Sequence, residues 1–129
     1  MEDFLLNLHS GIRWLLVVVT VITLGKLIIG VVQKRAYDDV AVRLMRAFTI
    51  VIDLQWLVGL ILFLVLDSFK VGFRWEHALT MTIAVAVAHV SMRWRKSPDA
   101  IRYRNDLIVV IAVLAIVFIG VARLPQGWI

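Results

Sequence analysis

The chain has 129 residues, 62% of them hydrophobic, with a mean hydropathy of +0.93 and a net charge of +5. A soluble domain of this length could not bury so much apolar surface, so the composition excludes a water-soluble globular fold. The chain contains no cysteine, which excludes disulfides, thiolate metal sites, iron–sulfur clusters and a thioether-attached haem. Any metal or cofactor must therefore rely on histidine, methionine or oxygen ligands.

Four apolar stretches each approach the roughly 20 residues that a helix needs to cross a bilayer. Helices are favoured because every backbone donor is then satisfied within the segment. In chain order we expect spans at about residues 10–33, 47–66, 76–95 and 105–123. The sequence therefore predicts an all-α, integral membrane four-helix bundle, formed by residues 1–129 as a single domain in contact with the lipid bilayer.

Basic residues are distributed unevenly between the two ends of the predicted bundle. Nine lie in the loops that follow the first and third spans, and four lie at the opposite end. Because basic loops stay in the cytoplasm, we expect both termini on the extracytoplasmic side of a bacterial cytoplasmic membrane. The start, Met1 to Phe4, is acidic and unlike a secretory signal peptide, so we expect the first span to be retained. No nucleic-acid motif accompanies the positive charge.

The first predicted span opens with His9, Gly11 and Arg13 and carries Lys26 in its last third. On a helix, Arg13 lies one turn below His9 on the same face. Gly11 removes a side chain near His9, which leaves space for a flat macrocycle. A charge in hydrocarbon costs at least a few kcal/mol, so Lys26 needs a partner or must reach the nearer interface.

The second predicted span carries Asp53 in its first third, at a depth similar to that of Lys26 and of His89 in the third span. We expect Lys26 and Asp53 to form an ion pair, to which His89 or Gln55 adds hydrogen bonds. This inner polar cluster is either an interhelical clamp, or a proton path or quinone headgroup site in which His89 and Asp53 exchange protons. Trp56 lies deeper than the other tryptophans. Its side chain can pack against the protein core, against lipid or against an internal ligand.

The third predicted span opens with His77, and Met81 lies one helical turn further along. Ala84 and Ala88 form a pair of small residues four apart, which lets helices approach closely. We therefore expect the third span to be the most enclosed. The fourth span is uniformly aliphatic, and we expect it to face lipid or a partner subunit.

His9 and His77 open the first and third spans, which start on the same side of a four-span bundle. Both imidazoles should reach one interface, where two neutral imidazoles can ligate a single haem b within a helical bundle. Arg13, Arg74 or Arg123 would then hold the haem propionates by charge-assisted hydrogen bonds. This geometry predicts a cofactor site at the extracytoplasmic end.

Other interpretations of these histidines stay open. His9 and His77 can be interfacial residues bonded to water and carbonyls. A zinc or copper site could add Glu76, although such sites usually use three or four protein ligands. His89 lies 12 residues after His77, but a second haem there lacks a partner, because the chain has only three histidines.

Three segments resemble a family of small bacterial four-span membrane proteins that are often labelled cytochrome b-like. They are Leu8–Trp14, Asp53–Leu60 and Trp75–Met81. The resemblance extends through nearly the whole chain and implies a helical bundle with haem b held through His9 and His77. The family often has a histidine where this chain has Asp53, so the resemblance assigns no ligand to the second span.

Three functions are compatible with this sequence. The first is electron transfer by a b-type cytochrome-like protein, with quinol as a possible donor. The second is an accessory subunit of a larger respiratory or photosynthetic membrane complex, associated with other subunits or with itself. The third is a small proton-coupled transporter that uses Asp53. No motif for hydrolytic or nucleophilic catalysis is present, which favours an electron carrier or accessory subunit over a stand-alone enzyme.

Overall fold

A computed structural model describes residues 2–65 and 72–122 of the chain. Each α-helix packs against two others in the cyclic order α1, α2, α3, α4, so that α1 and α3 lie diagonally across the bundle. The prediction of an all-helical fold is confirmed for the described residues. The helices are α1 Glu2–Gln33, α2 Asp39–Val65, α3 Gly72–His89, a 3₁₀ segment Val90–Trp94, and α4 Asp99–Ala122.

Among the described residues, three helices, α1, α2 and α4, are long and apolar enough to cross a membrane. The described part of α3 is shorter and less apolar, and its α-helical hydrogen bonding stops at His89, where the 3₁₀ segment begins. This differs from the predicted third span, 76–95. Helices α2 and α4 begin before the predicted spans at 47 and 105, because hydropathy marks the hydrocarbon layer and the helices continue beyond it.

The connection between α1 and α2 is fixed by the backbone at the end of α1. Lys34 adopts a left-handed conformation with φ of 52°. The N–H of Arg35 donates to the carbonyl of Gly30 at 3.1 Å. Together these features form a Schellman motif, which ends the helix and satisfies one of its last carbonyls.

The core of the bundle uses residues from all four helices, including α4. Tyr103, Val110 and Val113 of α4 are 0–2% exposed. The sequence predicts that the fourth span faces lipid or a partner. In the structure one face of α4 packs in the core, while Ile111 and Phe118 of the same helix are exposed. A uniformly aliphatic helix has no polarity contrast between its two faces, so the sequence cannot indicate which face is buried.

Helix α3 contributes small residues to this core. Ala84 and Ala88 are 1% and 0% exposed, as the small-residue pair predicts. Leu79 and Ile83 on the same helix are 63% and 49% exposed. The expectation that the third span is the most enclosed is therefore wrong, since only a narrow alanine face of α3 is buried.

Candidate functional site

His9 of α1 and His77 of α3 lie at the end of the bundle where both helices begin, which we call the histidine end. Both residues are half-buried. The two imidazoles lie close enough to interact electrostatically, and Arg13 adds its charge to the surroundings of His9. Because α1 and α3 are diagonal, the two histidines enter the site from opposite corners of the bundle.

The orientation of His77 is fixed by the backbone of α4. Its Nδ1 lies 3.0 Å from the carbonyl oxygen of Gly120. A carbonyl can only accept, so Nδ1 carries the proton and donates it, and the neutral ring keeps a free lone pair on Nε2. A hydrogen bond from the remote nitrogen to a backbone carbonyl is the usual way in which proteins orient a metal-binding histidine.

Gly120 allows α3 and α4 to approach closely at this level. A Cβ atom on Gly120 would lie 2.6 Å from the methyl carbon of Met81 and 3.1 Å from the methyl carbon of Thr80. The glycine thus brings its carbonyl within reach of His77. Met81, which the sequence places one turn from His77, packs against the same glycine.

His9 lies against α2 on the other side of the site. A Cβ atom on Gly59 would lie 3.2 Å from Cε1 of His9, so the glycine makes room for the ring. Gln55 lies one helical turn from Gly59 on the same face of α2, as Arg13 lies one turn from His9 on α1. These residues form one layer across α1 and α2.

This layer contains buried polar atoms that have no hydrogen-bond partner. Within the described part of the chain, the buried side-chain atoms without a partner are His9 Nδ1, Arg13 Nε and Gln55 Oε1. An unsatisfied buried polar atom typically costs about 1–3 kcal/mol. All three atoms belong to the histidine end, so a polar or metal-bearing group bound there would supply partners that the chain itself does not.

The structure places one further predicted site residue, Gly11, differently. Gly11 is exposed, and a Cβ atom there would meet nothing within 4 Å. The space that Gly11 leaves is therefore on the outer surface of α1, and the glycine that contacts His9 is Gly59. Arg123 lies outside the described residues.

The predicted ion pair between Lys26 and Asp53 is wrong. Lys26 Nζ lies 2.9 Å from Oδ2 of Asp38, in the connection that leads into α2. The lysine therefore reaches toward the nearer interface, as the snorkelling alternative describes. Asp53 instead accepts from His89, whose Nε2 lies 2.9 Å and 3.0 Å from the two carboxylate oxygens. The inner cluster is thus two separate pairs.

A buried carboxylate that sequence reasoning missed lies at the opposite end of the bundle. Asp106 is 2% exposed. It accepts hydrogen bonds from the Tyr37 hydroxyl and from Trp94 Nε1, the latter at 2.7 Å. Burial raises the pKa of the Tyr37 phenol, so the hydroxyl remains a donor. The available signal was the position of Asp106 three residues after Tyr103, on the same face of α4.

The residues described at the histidine end do not include the usual ligand set for a bare metal ion. Among the described residues, no group of three or more histidine, aspartate or glutamate side chains could hold a metal ion. The zinc or copper alternative therefore lacks a ligand set of the usual size. A haem needs only axial ligands from the protein, because the macrocycle supplies the others.

Comparisons with family models, with curated proteins and with solved structures found no match to this chain. The resemblance to small four-span cytochrome b-like proteins stays a prediction.

Proposed function

We propose that the chain is a membrane electron carrier of the b-type cytochrome kind, which holds one haem b between His9 and His77. The observation that carries this proposal is the hydrogen bond from His77 Nδ1 to the Gly120 carbonyl, 3.0 Å long. This hydrogen bond fixes the tautomer in which the proton is on Nδ1, so that the lone pair of Nε2 is available to a metal. An interfacial histidine bonded to a carbonyl would make the same hydrogen bond, so a haem spectrum is the observation that distinguishes the two.

The unpartnered atoms around His9 support the same proposal. His9 Nδ1 and Arg13 Nε are buried without a hydrogen-bond partner. Arg13 keeps a single side-chain hydrogen bond, from its terminal nitrogen to Ser10 Oγ at 3.3 Å. A guanidinium with free donors beside the site is suited to a propionate carboxylate.

The chain has distinct tasks in the proposed activity. A bound haem supplies reversible one-electron chemistry. His9 and His77 would hold the iron, while Gly59 and Gly120 let the two rings take their positions in the bundle. A lipid-soluble quinol is the class of electron donor that would reach the site from the bilayer.

Titration of the purified full-length protein with haemin tests the proposal. We expect a Soret band and a reduced-minus-oxidised spectrum typical of two axial histidines. His9→Ala and His77→Ala should each abolish the tight, saturable binding. His89→Ala is the matched control, because it removes the third histidine from a different part of α3, and it should leave the spectrum unchanged.

Circular dichroism of each variant separates loss of the site from loss of the fold. A wild-type protein that shows no saturable Soret band would refute the proposal. So would a His89→Ala variant that loses the band as completely as His77→Ala while both remain helical, because the ligands would then not be the pair at the histidine end.

A further inference from the structure

A cleft of about 230 Å³ opens at the end of the bundle opposite His9 and His77, which we call the basic end. It lies between α2, the 3₁₀ segment and α4. Its wall includes three arginines from three different segments, Arg46, Arg95 and Arg102, together with Tyr37. Convergence of three cations from separate segments on one cleft is the feature that needs an explanation.

The positive charge of this cleft is poorly compensated by the chain itself. Among the residues that line it, Asp106 is the only carboxylate, and it already accepts from Tyr37 and Trp94. Within the described part of the chain, the side chains of Arg46 and Arg95 form no hydrogen bond or ion pair. Like charges that share a cleft repel each other, and a bound anion relieves that repulsion.

Arg102 is held in position before any ligand arrives. Its guanidinium carbon lies 3.9 Å from the centre of the Tyr37 ring. The Tyr37 ring in turn packs on Tyr103, with 4.8 Å between ring centres, and its hydroxyl donates to Asp106. A cation fixed on a rigid aromatic support loses little conformational freedom on binding, which favours affinity.

The cleft lies at the depth expected for lipid headgroups. Arg46 immediately precedes the apolar stretch of α2, and Met92 adds apolar lining beside the arginines. Trp94 and Tyr37 lie nearby with their polar atoms hydrogen-bonded, as is typical of residues at a membrane interface. Basic pockets between helices at this level are suited to phosphate-bearing headgroups.

We propose that the cleft formed by Arg46, Arg95 and Arg102 binds a phosphate group, carried by an acidic lipid of the adjacent leaflet or by a soluble phosphate. The guanidinium fork matches two phosphate oxygens, which makes arginine the preferred residue for this recognition. The inference is independent of haem binding, because it concerns the opposite end of the bundle and a different ligand chemistry.

Lipid binding by the full-length protein, measured by native mass spectrometry in detergent, tests the site. Phosphatidylglycerol is the acidic probe and phosphatidylcholine the zwitterionic one. The double variant R46Q/R95Q should bind phosphatidylglycerol about tenfold more weakly than the wild type. The matched control is R43Q/R93Q, which removes the same charge from exposed positions at the same end that do not line the cleft, and it should change the affinity about twofold at most.

Inorganic phosphate distinguishes the two sources of the ligand. If millimolar phosphate displaces phosphatidylglycerol, the site accepts soluble phosphate; if it does not, the site recognises the lipid headgroup, and either result supports a phosphate site. A wild type that binds neither phosphatidylglycerol nor inorganic phosphate saturably would overturn the proposal. So would equal losses in the two double variants, because the effect would then come from the general positive field.

R46K/R95K, which keeps the charge, is the control for a folding defect. It should bind more tightly than R46Q/R95Q.

Discussion

A single carboxylate, Asp38, links the end of one helix to the start of the next. Its Oδ1 accepts a hydrogen bond from the N–H of Ala41 at 2.9 Å, which caps α2. Its Oδ2 lies 2.9 Å from Lys26 Nζ on α1. The Ala41 N–H, followed by the Lys26 ammonium, holds the pKa of Asp38 below its ordinary value. Asp38 therefore stabilises both the helix and its contact with α1.

The lowered pKa of Asp38 predicts how stability changes in acid. A carboxyl whose folded pKa lies below its unfolded value of about 3.9 contributes stability above that pH, and the contribution is lost as the pH falls through the folded pKa. We expect the thermal midpoint of the wild type to fall more steeply between pH 5 and pH 3 than that of Asp38→Asn.

Asp39→Asn serves as the control for this comparison, because Asp39 follows the cap and takes no part in the hydrogen bond to Ala41 or the ion pair with Lys26. Its pH profile should match that of the wild type. Parallel profiles for the wild type and Asp38→Asn would contradict the assigned role of Asp38.

At the scale of single residues, the sequence predicted how deep the charged residues lie better than it predicted which residues they pair with. Lys26, Asp53 and His89 were expected in one cluster, whereas the structure pairs Lys26 with Asp38 and Asp53 with His89. Partner choice depends on helix rotation and on the path of a short connection, and hydropathy fixes neither. The cap role of Asp38 was available from the sequence, because an aspartate immediately before a helix is a common N-cap.

At the scale of the helices, α1 packs against an aromatic ring of α4 at Gly30. A Cβ atom on Gly30 would overlap the ring of Tyr103. Tyr103 is fully buried, and its hydroxyl donates to the carbonyl of Ala36 at 2.8 Å. The ring cannot move without losing that hydrogen bond, so Gly30 sets the distance between the two helices.

Gly30→Ala should therefore destabilise the protein by about 1–3 kcal/mol, the usual cost of overpacking a closely packed interior. Gly25→Ala is the matched control on the same helix, where a Cβ atom would meet nothing within 4 Å. It should be neutral or stabilising by up to about 1 kcal/mol, since alanine favours helix more than glycine. Thermal or denaturant unfolding measures both effects, and equal losses in the two variants would contradict the assigned contact.

The importance of Gly30 and Gly120 could not be predicted from the sequence. A glycine within an apolar stretch carries no signal of what faces it, and the contacts with Tyr103 and Met81 come from segments far along the chain. The same limit applies to Gly59, whose contact with His9 the sequence assigned instead to the neighbouring Gly11. Periodicity predicts which residues form a helix, and packing decides which glycine is needed.

At the scale of the whole molecule, the fold class followed from composition. Apolar segments of membrane-spanning length leave few alternatives to a helical bundle, and the antiparallel order brings His9 and His77 to one end. Composition did not predict that one face of α4 is buried or that α3 is short. Lipid and protein interior are equally apolar, so a hydropathy pattern cannot separate the two environments.

The distribution of basic residues predicts the orientation of the bundle, and the natural absence of cysteine makes it simple to test. Ser97→Cys, at the basic end, should react only with a membrane-permeant thiol reagent in intact cells. Asp3→Cys, at the histidine end, should react with an impermeant reagent as well. The reverse pattern would place His9 and His77 on the cytoplasmic side.

The position of His9 and His77 near one boundary of the bundle has a consequence for energetics. His9 lies seven residues after the start of α1, about 10 Å along the helix axis. A unit charge that crosses the whole bilayer gains or loses about 2.3 kcal/mol per 100 mV. An electron that enters and leaves at this boundary traverses little of the voltage drop. Under the proposed function, the carrier would therefore keep nearly the same midpoint potential in energised and de-energised vesicles.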